Sequence, residues 1–246
     1  VSRAVRTVLA AVLALVLAGC TGGAGPSGGA APNPPPAPRD VVAGAGQALA
    51  DAGSARVTVA LDGGPTGRVQ ASGPVRFAPI AADLSVALGT RGAQVRVLGD
   101  DAWFRLGGAE RWQRLSAGML PLGAVTGVLH TAPGLRDVAE QPGREDVEGV
   151  PAVRYTGTVD LAAARDAAPD PAIAPRLDEL AGLVSPAPRV TAWLGAPDAP
   201  PADRGRLLRL SLEPTTPGGE QATPAPGAVT IGFADPGVPV EVTPPE

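Results

Sequence analysis

The stretch ARVTVALD, residues 55–62, alternates Val57, Val59 and Leu61 with Arg56, Thr58 and Ala60. Successive side chains of a strand point to opposite faces, so alternation with period two marks a half-buried β-strand. The pattern recurs downstream. Residues 69–77 follow the turn-forming DGGPTG, and Leu84, Val86 and Leu88 alternate in ADLSVALG. Val95 and Val97 alternate in AQVRVLG, which runs into a turn at Asp100 and Asp101. WFRL (103–106) and RWQRL (111–115) flank GGAE, the composition of a hairpin loop. These segments, from Arg56 to Leu115, therefore read as an antiparallel meander of short strands.

On the N-terminal side, Asp40 is placed to cap a helix through VVAGAGQALADA that stops at Gly53. Its GAGQAL resembles a dinucleotide fingerprint, but the third glycine is missing and a proline-rich segment, not a strand, precedes it. On the C-terminal side, Met119, Leu122, Val125 and Leu129 have helical spacing over 117–131, with Pro121 in the first turn. Strands resume in LRDVAEQPGREDVEGV and PAVRYTGTVD. Asp160 is placed to cap LAAARDAA, and residues 171–183 suggest another helix. RVTAWL, GRLLRLSLEP, AVTIGFAD and VPVEV read as closing strands, with a long loop over 215–227. Segregated runs of strands and helices predict an α+β fold with helices over one face of a large antiparallel sheet.

The first twenty residues have the parts of an export signal. Arg3 and Arg6 form a positive end, residues 8–17 are Val, Leu and Ala only, and Ala18 and Gly19 precede Cys20. Leu17-Ala18-Gly19-Cys20 resembles a bacterial lipobox, which implies cleavage before Cys20 and acylation of its thiol. Residues 1–19 are then a signal peptide. Residues 20–38, TGGAGPSGGAAPNPPPAP after the cysteine, are a Gly/Pro-rich tether, and residues 39–246 are the folded domain. The expected location is the outer face of the plasma membrane, with the chain anchored through Cys20. No second cysteine exists to pair with it.

Composition narrows the classes of function. Gly and Pro, 33 and 29 of 246 residues, make up about a quarter of the chain, the level at which part of a chain is low-complexity. The net charge is −4 with acids and arginines interspersed, and there is no basic cluster of the kind nucleic-acid binding requires. The single histidine, His130, reads as a helix-end residue. There is no Gly-x-Ser-x-Gly elbow for a hydrolase and no set of His and Cys for zinc, and no cofactor is expected. Glu145, Asp146 and Glu148 read as a solvated turn before Gly149. Trp103, Phe104 and Trp112 read as cross-strand packing within one hairpin.

The alternating positions carry Val, Leu and Ile with few aromatics, a pattern that fits either a solid core or an apolar void under the helices. Here the arrangement resembles the LppX/LprG (LppX_LprAFG) family of actinobacterial lipoproteins. The resemblance rests on the lipobox and tether, SARVTVALDG, VRVLGDDAWFRL, PLGAVTGVLHTA, EDVEGVPAVRYTGTV and GAVTIGFADPGVPVEVTPP. It implies a strongly curved antiparallel half-barrel with helices on the concave face, enclosing a hydrophobic cavity for acylated lipids or glycolipids. It also implies non-catalytic lipid traffic across the envelope and a membrane efflux transporter as partner. The absence of lysine, APDAPPAD (196–203) and the 215–227 loop depart from that family. Alternation nominates Val57, Val59, Leu61, Leu84, Val86, Leu88, Val95, Val97, Leu210, Leu212, Val229, Ile231 and Phe233 for the cavity. Met119, Val125 and Leu129 would face them from the helix. A void of at least several hundred Å³ is the expectation for a lipid site. A solid core would instead suit an envelope scaffold or a transporter-accessory lipoprotein.

Overall fold

The alternating segments form twelve strands of a single sheet in a computed structural model. The structure describes residues 34–62, 69–116, 122–215 and 227–245. The signal segment, Cys20, most of the tether, Met119 and most of the 215–227 loop lie outside them.

The strands are β1 (Ser54–Asp62), β2 (Val69–Phe77), β3 (Ile80–Leu88), β4 (Arg91–Leu98), β5 (Asp101–Leu106) and β6 (Gln113–Ser116). They continue with β7 (Leu135–Glu140), β8 (Glu145–Val147), β9 (Val150–Val159), β10 (Arg189–Gly195), β11 (Leu207–Glu213) and β12 (Ala228–Ala234). Their spatial order is β6-β5-β4-β3-β2-β1-β12-β11-β10-β9-β7, with β8 paired to β9. All strand pairs are antiparallel, and the chain's return lays β12 beside β1. The sheet is curved and open, with β6 and β7 as its edges, and the fold is α+β.

Register fixes which side chains share a face. Val57 lies opposite Phe233, Val59 opposite Ile231 and Leu61 opposite Val229. Leu210 and Leu212 face Ile231 and Val229 across β11 and β12. On the other side of β1, Val59 meets Ala71, Ala71 meets Val86, and Leu84 meets Val95. All thirteen strand positions nominated from alternation thus occupy one face by register. The opposite face carries Arg56, Arg96, Arg105 and Arg209 and their partners, such as the Arg96–Asp83 pair at 3.2 Å.

Among the described residues four α-helices lie over the apolar, concave face: α1 (Pro38–Asp51), α2 (Leu122–Gly127), α3 (Leu161–Asp166) and α4 (Ala174–Val184). In α1, Val42, Ala45 and Leu49 are spaced by three and four residues and bury one stripe into the sheet's core. The GAGQAL stretch lies inside this helix. The helix begins at Pro38 with no side-chain cap, so Asp40 sits in its first turn and does not cap it. Pro is well placed there because the first N–H groups of a helix have no partner in any case. The helix ends where Gly53 takes φ +74, as a left-handed C-terminal glycine should, and its N–H bonds the Ala50 carbonyl at 3.0 Å. Leu177, Leu180 and Val184 form the buried stripe of α4. Asp160 caps α3 as expected, its Oδ1 accepting from Ala163 N–H at 2.9 Å.

Two elements differ from the sequence reading. Among its described residues, the 117–131 segment is α-helical from Leu122 to Gly127 and tightens into 3-10 turns at Val128–His130 and Ala132–Gly134. VPVEV forms no strand. It runs as an extended strap, tied down by Gly237 N–H to Ser54 O (2.8 Å), Ser54 Oγ to Val238 O (2.7 Å) and Arg96 to Thr243 O (3.4 Å). Pro239 has no N–H to give a ladder.

Candidate functional site

The helices do not fill the concave face evenly. Between β1–β4 and α2 lies an apolar cavity of about 140 Å³. Val57, Val59 and Leu61 form one wall, and Val69, Ala71 and Val75 continue it on β2. Leu84, Val86 and Val95 close the other side, while Val125 and Thr126 reach in from α2. Thr126 is the one polar lining residue, and its hydroxyl donates to the Gly123 carbonyl of its own helix at 3.1 Å. The lining extends along β3 from Ile80 to Val86, about 20 Å at the rise of a strand, so the space is a slot more than a sphere.

One end of the slot is open. Val57, Val75, Leu84 and Val95 are buried, whereas Leu61, Val69, Val86 and Ala93 are half-exposed. Ile80, also half-exposed, lies at the far end of the lining by the β2–β3 turn, but these four residues cluster where β1 passes to β2 and β3 to β4. The mouth therefore lies at that end of the sheet.

The position of α2 follows from two glycines. Gly123 and Gly127, one turn apart, lie against Arg176 and Glu179 of α4, at distances a Cβ would violate. This close approach draws α2 onto α4 and leaves Val125 and Thr126 toward the sheet. The Glu179 carboxylate accepts from Ala124 N–H in the first turn of α2, which ties the two helices. Burial raises the Glu179 carboxyl above the usual carboxylate range, and that hydrogen bond partly opposes the rise.

The remaining nominated residues divide. Val97, Leu212, Val229, Ile231 and Phe233 are buried in continuous core and do not line the slot. Leu129 and Leu210 line a crevice of about 20 Å³ under α1, space for roughly one water. The Leu88 side chain, Met119 and Cys20 are outside the described residues. Sequence reasoning missed Val69, Ala71, Val75, Ile80 and Thr126. The β2 positions follow from the register once β2 is paired with β1, since they share the face of Val57 and Val59. The cavity is also smaller than the several hundred Å³ expected, because α2 comes down close to the sheet.

The other chemical candidates prove structural. His130 closes the 3-10 turn, half-buried; burial first and the nearby Arg176 second lower its pKa, with Asp170 opposing. Glu145 is bound by Arg154 at 2.7 Å and by Trp193 Nε1–H at 2.6 Å. Asp146 accepts from Gly149 N–H at 2.7 Å, closing the turn. No group of His, Cys, Asp and Glu among the described residues is arranged to hold a metal ion. Trp112 lies just outside β6, with Arg96 and Arg105 each 4.8 Å from its ring centre, a cation–π arrangement and not aromatic cross-strand packing.

An open, curved antiparallel sheet, helices in its concavity and an aliphatic slot between them define a half-barrel α+β fold built around an internal apolar space. Solved structures that share it include two mycobacterial proteins, LppX and LprF. The lipoprotein LppX of Mycobacterium tuberculosis matches over 85% of this chain and 100% of its own, with a TM-score of 0.57 and 22% identity. LprF from Mycobacterium bovis matches over 86% of this chain and 98% of its own, with a TM-score of 0.59 and 19% identity. The resemblance to LppX/LprG proteins read from the sequence therefore holds at the level of the fold. No protein-family model and no curated protein matches the sequence.

Proposed function

We propose that this protein is a lipid-anchored carrier that takes an acyl chain of a lipid or glycolipid into the slot between β1–β4 and α2. It moves that lipid across the cell envelope without catalysis. The observation that carries this reading is the slot itself. Its lining is aliphatic save for one hydroxyl already bonded to its own helix, in a fold shared with a lipoprotein. Water gains nothing there, because apolar cavities of about 150 Å³ stay dry and accept small apolar molecules. Each CH₂ buried gains about 0.8 kcal/mol, so a chain segment threaded through the slot supplies binding energy without any polar contact.

The size of the slot sharpens the ligand. About 140 Å³ accommodates part of one acyl chain; a lipid with several chains requires α2 to move off the sheet. The Gly123 and Gly127 contacts and the Glu179 tie to Ala124 are the contacts such a movement would break. Acylated Cys20 would hold the domain at the outer face of the plasma membrane, where its ligand resides. A membrane efflux transporter is the partner that would deliver or accept the lipid.

Extraction of the purified domain with organic solvent, followed by mass spectrometry, tests the proposal. Co-purifying acyl lipid, and uptake of a fluorescent fatty acid by delipidated protein, are the expected results. Failure of both would overturn it and favour the scaffold reading.

A further inference from the structure

We infer that the β3–β6 end of the sheet docks on an anionic phospholipid bilayer and presents the mouth of the slot to it. The inference rests on the carrier reading. It starts from Leu106, which is 42% exposed and is alone in that state among the large apolar side chains described. Leu106 lies opposite Ala93 on the concave-facing register, at the mouth end of β5. An apolar side chain held out beside the opening of an apolar slot has a use if hydrocarbon lies on the far side.

The residues around it fit a lipid interface. Trp112 sits on the same hairpin beneath the guanidinium groups of Arg96 and Arg105. Indole rings with cationic neighbours are favoured at the headgroup level of membranes. Arg91, at the β3–β4 turn, and Arg111, at the β5–β6 turn, are exposed. Neither they nor Arg105 has a carboxylate partner among the described residues; Arg105 bonds Gln94 instead. Glu110 is the hairpin's acid, and Asp62 stands across the mouth on β1. Between the two turns lies a cleft of about 450 Å³ of mixed lining that includes Ser85, Gln94, Arg105 and Leu106, and it shares Val86 with the slot. A guanidinium in such a cleft suits a headgroup phosphate.

Charge supplies the orientation. The chain as a whole is −4, and its residues after position 19 carry 18 Arg against 24 acids, so an anionic bilayer repels most of its surface. Screening confines that repulsion to about 8 Å at physiological salt, so the groups nearest the membrane decide the docking face. Arg91 and Arg111, with Arg105 paired to no carboxylate among the described residues, make that end the favoured one.

The test is co-sedimentation of the domain comprising residues 36–246, which holds every described element, with vesicles. Phosphatidylcholine vesicles are compared with mixed phosphatidylcholine–phosphatidylglycerol vesicles at low and high salt. The domain should bind the anionic vesicles only, and high salt should release it. Arg91→Glu with Arg111→Glu should weaken that binding at least about tenfold. Leu106→Asp should weaken it too, and Arg76→Glu at the opposite end of the sheet should leave it unchanged. Brominated lipid should quench Trp112, seen as quenching that disappears in Trp112→Phe. Equal binding to both vesicle types, no binding to either, or full binding by the Arg91/Arg111 variant would overturn the inference. In the last two cases the hairpin would be left to an acidic protein partner. Uptake of a fluorescent fatty acid in vesicle-free solution is measured alongside and should be intact in the rim variants. Its absence from the wild-type domain would count against the carrier reading and not against docking.

Discussion

The two halves of the concave face carry the same kinds of side chain and end differently. On β9–β12, Tyr155, Val190, Ala192, Leu194, Leu210, Leu212 and Ile231 are buried under α1, whose fourteen residues lay Val42, Ala45 and Leu49 along the sheet. The gap beneath that stripe is about 20 Å³, and the larger spaces on this half, about 280 and 220 Å³, are more open clefts along the flanks of α1 with Arg204, Arg206, Glu140 and Arg144 in their walls. On β1–β4, Val57, Val59, Leu84, Val86 and Val95 are equally aliphatic, but among the described side chains of the short α2 it is Val125 and Thr126 that line the space above them. About 140 Å³ stays open. A void in this fold is thus a property of the covering helix, its length and its attachment, and not of the strand residues beneath it.

The comparison can be broken most strongly in the filled half. Leu212→Ala removes a side chain of β11 that has no exposure at all, and should cost about 2–5 kcal/mol in urea unfolding. Leu84→Ala, beside space that is already empty, should fall at or below the lower end of that range. Equal losses would mean that the slot is packed in solution. Val59→Phe sharpens the contrast from the other side. In a filled core such an enlargement costs about 1–3 kcal/mol, and here it should cost less while reducing fatty-acid uptake by about tenfold or more. A stability loss within the full overpacking range, with uptake unchanged, would contradict an open slot.

Smaller effects are expected at the helix attachments. Asp160→Ala, which removes the α3 cap, should cost about 1 kcal/mol and leave uptake alone. Glu179 has a folded-state pKa raised by burial, so the folded protein holds its proton more tightly than the unfolded chain. Its contribution to stability is then largest in acid and declines as pH rises from the unfolded value through the raised folded value. Glu179→Gln should flatten stability against pH across that window. An unchanged slope would show that Glu179 does not titrate in this way.

Much of the sheet was legible because the physics is local. Val57, Val59 and Leu61 declare their face by alternation, and antiparallel pairing carries that face from strand to strand. β2 was less legible, since Gln70, Ser72 and Pro74 separate only small or weakly apolar residues. The α2 helix was overread because Leu122, Val125 and Leu129 keep helical spacing while Gly123 and Gly127 weaken helix propensity. The VPVEV strap was overread because alternation does not reveal whether a neighbouring strand exists to pair with. The slot itself was out of reach for the same kind of reason. Val57 lines it and Ile231 does not, yet both are buried aliphatic residues of the same face. What separates them is the position of α2, set by glycine contacts with a helix some fifty residues later in the chain.

The central claim is that the space between β1–β4 and α2 receives an acyl chain. Photolabelling the protein with a fatty acid bearing a diazirine along its chain, then mapping the adducts by mass spectrometry, tests it most directly. Adducts are expected at Val57, Val59, Leu84, Val86, Val95 and Val125, and Val59→Phe should abolish them. Labelling confined to the β9–β12 half, or spread over the charged outer face, would contradict the account.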